Sequence, residues 1–211
     1  MAYNRDSALE LHKDYSENQK NWEMYIRSYN GGYDYTLGQY LNRYNLELDH
    51  EFNQRLGNTP CDNHCKNIIQ IYSSFLFRVK PSRDFGSMAD EPSLDAFLAD
   101  ADLEGNSFNN VIKQAQNYAS IYGHVFMILD KPAVQTRTRA EELDQDIRPY
   151  VSIVTPENVL DWNFKREPNG KYVLDYLKIR EEVDKHGGTY LKMWTPERID
   201  TLYQKDRLDH R

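Results

Sequence analysis

Long apolar runs, cysteine, glycine and proline are all scarce in this chain of 211 residues, and each scarcity removes a class of protein. The longest uninterrupted apolar run, residues 125–129, is five residues long; a helix that crosses a bilayer needs about 20. Residues 1–10 alternate charged with small side chains and hold no apolar stretch of signal-peptide length. Secretion and membrane insertion are therefore not expected. Two cysteines exclude a disulfide scaffold and fit a reducing compartment. Ten glycines and eight prolines are too few for a fibrous or linker-rich chain. An excess of positive charge is missing too, with 26 Lys and Arg against 33 Asp and Glu. What is present, 39% hydrophobic and 28% charged residues, is the balance of a folded, water-soluble protein. At roughly 150 residues per domain the length allows one or two.

The net charge of −7 is concentrated. Residues 84–112 contain seven acids (Asp84, Asp90, Glu91, Asp95, Asp100, Asp102 and Glu104) and no Lys or Arg. That block carries the whole net charge, and the remainder of the chain sums to zero. A solvated loop and helix face accounts for such a block; the sharper alternative is a surface that faces a basic partner or repels nucleic acid. Sequence-specific DNA binders carry a basic stripe, because phosphate neutralisation drives most of their affinity. None is visible here, so weak duplex binding without sequence preference is expected.

Residues 1–122 read as a helical region. Residues 7–29 place Leu9, Leu11, Trp22, Tyr25 and Ile26 among charges, and Gly31-Gly32 supplies the stop. Leu37, Tyr40, Leu41, Tyr44, Leu48, Phe52 and Leu56 recur at steps of three and four, which predicts one helix over 37–56. A third is predicted over 61–77 with Ile68, Ile69, Tyr72, Phe75 and Leu76 inward, and a short fourth over 93–101. Ser107 is an N-cap for a fifth that stops at Gly123. From residue 123 to 211 the period changes to that of strands. Strands are predicted over 124–130, 150–154, 159–164, 172–183, 189–194 and 199–203, with residues 136–146 as a polar loop. Asn169-Gly170 tolerates the positive φ angles of a tight hairpin. The fold class is α+β: N-terminal helices, then a strand and an antiparallel β-meander, packed together as one domain.

The chain gives no positive argument for catalysis. It lacks GxGxxG, GxxxxGK, GxSxG and HExxH, and its carboxylate pairs lie in solvated runs such as Glu141-Glu142. Cys61, His64 and Cys65 are the only clustered soft ligands. A zinc site wants four, and no second pair follows at finger spacing. Cys61 and Cys65 instead continue the stripe of Ile68, Tyr72 and Leu76, which predicts buried, unliganded thiols; a Cys/His metal-dependent protein is the weaker alternative. His12, His50, His124, His186 and His210 stand singly. Sixteen tyrosines, nine of them within residues 3–72, suit core and subunit contacts, since Tyr buries a large rigid surface and keeps a polar tip. No residue is assigned to catalysis, to a cofactor or to a metal.

Three stretches, in order, carry a resemblance. Residues 40–56, with Tyr40-Leu41 and Arg55-Leu56, lead into NIIQIYSSFLFR at 67–78. Residues 100–132 (DADLEGNSFNNVIKQAQNYASIYGHVFMILDKP) form a helix, a Tyr-Gly stop and a strand ending in Asp-x-Pro. Residues 148–180 (RPYVSIVTPENVLDWNFKREPNGKYVLDYLKIR) form a strand and a hairpin. Together they span most of residues 36–204, and they resemble the wing region of the portal proteins of tailed bacteriophages. The resemblance implies a structural protein of the virion, assembled in the host cytoplasm as a homo-oligomeric ring, usually a dodecamer, at one capsid vertex. Its partners would be other copies of itself, the major capsid protein, the terminase and the head–tail adaptor. Duplex DNA would pass non-specifically through the tunnel during packaging and ejection, with no membrane and no cofactor involved. The family's stem, clip and crown have no counterpart up to Arg211, so on this resemblance the chain is a truncated copy or a fragment. A free-standing α+β adaptor that binds a basic partner through the acidic stretch is the alternative.

Overall fold

The structure, a computed structural model, describes residues 10–38, 40–59, 62–132, 134, 138–183 and 188–205. The fold is α+β, with helices first and antiparallel strands after. By contact the chain forms two compact units: residues 1–23 with 155–211, and residues 24–154. The boundary at 122/123 suggested by the change of period is a boundary of secondary structure; the contacts group the first strands with the helices.

In the unit of residues 24–154, helix α1 (Lys13–Asn30), which starts in the other unit, ends against Gly31. Gly31 has φ +69°, and a Cβ there would lie 2.6 Å from the Asn63 side chain, so this turn admits only glycine. Helix α2 (Gly32–Leu37) is a short turn, and α3 (Asp49–Asn58) follows a non-helical segment. The single helix expected over 37–56 is therefore broken, and local polar bonds explain why. The Glu47 carboxylate accepts from the Tyr44 N–H and from Arg55 Nε and Nη2, while Arg43 donates to the Glu47 carbonyl. Side chains that satisfy backbone groups in this way compete with the helical ladder. Helix α4 (His64–Leu76) starts where Asn63 accepts from the Lys66 N–H, three residues later than expected. Helix α5 (Pro92–Ala99) packs against α6 (Phe108–Tyr122), as does α4.

Helix α6 has the predicted termini. Ser107 accepts from the Asn110 N–H, and Gly123 is left-handed at φ +87°, its N–H on the Ala119 carbonyl. The chain then enters strand β1 (Phe126–Asp130). Residues expected to be loop include a short helix α7 (Arg139–Asp144), before strand β2 (Tyr150–Val154) returns antiparallel to β1, from Phe126 opposite Val154 to Asp130 opposite Tyr150. Ala101, Val111 and Val151 form the core here, flanked by Phe97, Phe108 and Ile153.

In the other unit, strands β3 (Val159–Arg166), β4 (Tyr172–Val183), β5 (Gly188–Trp194) and β6 (Ile199–Lys205) make the expected meander in sequence order. Gly170, at φ +87°, turns the β3–β4 hairpin. Residues 184–187, which hold most of the second predicted turn, lie outside the described residues. Val159, Leu160, Leu177, Ile179, Leu191 and Met193 are buried, joined by Tyr15 and Trp22 of α1. Full burial of each such side chain stabilises by about 1.5–3 kcal/mol. Among the described residues, no helix is long and apolar enough to cross a membrane.

Candidate functional site

The face of α4 departs most from expectation. Ile68, Ile71, Tyr72, Phe75 and Leu76 lie at successive steps of three, one, three and one, which is one stripe of a helix. All five are more than half exposed, Phe75 reaching 70%. The inner side is Ile69, Ser73 and Phe77; Ser73 is the buried residue of this helix, and its hydroxyl has no protein partner. Ile68, Tyr72, Phe75 and Leu76, expected inward, therefore point to solvent. Cys65 continues the outer stripe and is exposed, which corrects the expectation of a core thiol. Cys61 lies outside the described residues. His64 is exposed, and among the described residues no group of three His, Cys, Asp or Glu side chains could hold a metal ion. His12 stacks on Trp162 at 4.0 Å, and His124 meets Phe126 edge-on at 5.5 Å.

The acidic block divides in two. Asp100 is compensated by a cation from far along the chain, although the block itself holds no Lys or Arg. Arg148, buried to 6% exposure, donates through Nη2 to the Asp100 carboxylate at 2.8 Å, through Nε to Asp146 at 2.8 Å, and through Nη1 to the Asp100 carbonyl. Burial pushes the Asp102 carboxyl up. Hydrogen bonds from the Asn106 side chain and from the N–H groups of Glu104 and Asn106 outweigh that and hold it below the usual carboxylate range. The loop closes on a half-open cleft of about 260 Å³, lined by Asp102, Glu104, Val111, Gln114 and residues 151–153. Asp84, Asp90, Asp95 and Glu104 are exposed.

Sequence reasoning missed a second buried cation. Lys178, 1% exposed, pairs across the β3–β4 ladder with Asp161 at 3.5 Å and donates to the Glu10 carbonyl. Tyr176 donates to the same Asp161 carboxylate at 3.0 Å. Burial lowers the Lys178 pKa, and Asp161 partly offsets that. The N-terminal segment is held here too: the His12 N–H donates to the Leu160 carbonyl and the Tyr15 hydroxyl to that of Glu157. Both cations are closed off by their own partners, which is the behaviour of structural clasps. Strand alternation alone signals neither; the one available hint was a lysine in the apolar run YVLDYLKI.

Compared with known proteins, the chain matches no family model and no curated protein sequence.

Proposed function

We propose that this protein is a structural subunit that assembles with copies of itself, and that it corresponds to the wing of a phage portal ring at the capsid vertex. The observation that carries the reading is the outer face of α4, where five large apolar side chains stand more than half exposed along one helix. A continuous apolar surface of this kind marks a contact site rather than a solvated face. Support comes also from the α6–Gly123–β1 unit and the β3–β4 hairpin, which occupy the positions of the resembling stretches. The exposed acids suit a wall past which duplex DNA slides without sticking, since counterion release would contribute little. In this role the subunit would meet its neighbours and the major capsid protein, while terminase and the head–tail adaptor would engage other parts of the portal. Electron microscopy of the purified protein tests the assembly: closed rings with an open centre are expected, and isolated monomers or open-ended filaments would overturn the reading.

A further inference from the structure

Helix α4 has 13 residues, and an isolated helix of that length is marginal in water. Its outer stripe exists only while the helix is wound, so that face depends on how the inner side is held. The inner side is poorly held. Ser73 is the buried residue of the helix, with Ile69 and Phe77 half-buried four positions to either side. Ser28, Ser74 and Ser120 each donate to the carbonyl four residues back in their own helices, whereas the Ser73 hydroxyl has no protein partner. A buried hydroxyl without a hydrogen bond opposes the packing that buries it. Among the described residues three buried side-chain atoms are orphaned in this way. All three lie on two helices that pack together: Ser73 on α4, and Asn109 and Asn117, each through Oδ1, on α6.

The two ends of α4 are unlike. At the start Asn63 caps the helix and donates through Nδ2 to the Tyr29 carbonyl near the end of α1. The Lys66 ammonium adds to this anchor, 5.8 Å from the Tyr29 ring centroid. Past the other end, residues 78–82 are all exposed. A helix pinned at one end and seated along its length on an unsatisfied seam has the physical character of a segment that opens locally, ahead of the rest of the fold.

We infer that α4 is a gate on assembly: the helix melts away from α6 and redocks about the Asn63 pin, and only the docked, wound helix presents its outer face to a second copy. The inference rests on the reading of the protein as a self-assembling subunit and names what regulates the contact site. Ser73 is a positioning residue, on the side of α4 turned away from that site, and its orphaned hydroxyl sets how readily the helix leaves. The docked fraction of the free chain scales the apparent association constant, so loosening the seam weakens assembly without altering the outer face.

Hydrogen exchange of the full chain, with sedimentation analysis of the same samples, is the test. In the dissociated chain the α4 amides are expected to exchange faster than those of α6, and assembly to slow them. Ser73→Ala is expected to slow α4 exchange about tenfold, by removing the orphaned hydroxyl. Ser74→Ala, the same change at an exposed neighbour, is expected to slow it only about twofold, the part due to helix propensity. Equal effects at the two serines would overturn the inference. Ile69→Ala, on the inner side, is expected to speed α4 exchange, leave α6 exchange unchanged and weaken assembly about tenfold. Adding Ser73→Ala to it is expected to restore most of the loss, which a misfolded chain could not show. Assembly of wild-type strength in Ile69→Ala, despite faster α4 exchange, would overturn the inference while leaving the self-assembling reading standing. Assembly weakened by Ser73→Ala alone would mean that the helix must leave α6 to meet a second copy, which likewise overturns it. A wild-type chain that stays monomeric would overturn both.

Discussion

Glu47 collects three donors on one carboxylate, and the Arg55 side chain is the chief reason its pKa is lowered from 4.5 to about 2. A depressed carboxylate contributes stability that is complete above its unfolded value and is lost as the pH falls through its folded value. The Glu47–Arg55 contact should therefore persist at pH 4.5 and open as the pH falls towards 2. Carbon-13 NMR titration of the side-chain carboxyl is expected to give a midpoint about 2, and a midpoint near 4.5 would deny the contact. Arg148 is the opposite kind of residue, buried and serving partners 2 and 48 positions away. Arg148→Met should destabilise the fold by about 3 kcal/mol, because several charge-assisted hydrogen bonds are lost together; urea denaturation measures it, and a loss near zero would show that the Asp100 loop stands without the cation. Neither partner choice was legible in the sequence. Charge patterning marks a block as acidic, but it does not reveal which acid a distant arginine will claim.

Legibility improves at the scale of elements wherever one residue fixes a backbone geometry. Ser107 and Gly123 bracket α6 as their chemistry predicts, and of the Asn169-Gly170 pair Gly170 alone takes the positive φ of the hairpin turn. Gly123→Ala should cost about 1 kcal/mol, since space for a Cβ is present but the left-handed backbone is not suited to it; thermal unfolding would register this, and an unchanged midpoint would mean that the helix end relaxes. The facing of α4 was not legible for a different reason. The helix is amphipathic, with Lys66, Asn67, Gln70 and Ser74 opposite its apolar side, so periodicity assigns that apolar side inward, whereas the structure leaves Ile68, Tyr72 and Phe75 exposed and buries Ser73 beside Ile69 and Phe77. Likewise, steps of three and four ran unbroken through residues 37–56, while the bonds around Glu47 end the helix there. The outer face supplies its own test. Ile68→Ser with Phe75→Ser should change the stability of the dissociated chain by no more than about 0.5 kcal/mol per site, as exposed positions do, yet should abolish assembly. A loss of several kcal/mol measured on the monomer would mean that the face is packed within the chain.

At the scale of the whole molecule, sequence pattern and structure agree on an α+β fold with an antiparallel meander, but the strand at 150–154, expected to open that meander, pairs with β1 in a separate two-stranded sheet. They differ on grouping, because β1 and β2 pair with each other, and their unit includes the helices from residue 24 on. Among the described residues, the surface that departs most from a solvated one is the outer face of α4, where five large apolar side chains are more than half exposed. Where the contact made through such a face is heterologous and its rotation closes, copies of the chain form a ring. Native mass spectrometry across a range of protein concentrations tests this most directly. The account predicts one discrete closed multimer, a dodecamer if the portal resemblance holds, that replaces the monomer as concentration rises. A mass that remains that of one chain at every concentration, with the α4 face still exposed, would contradict it.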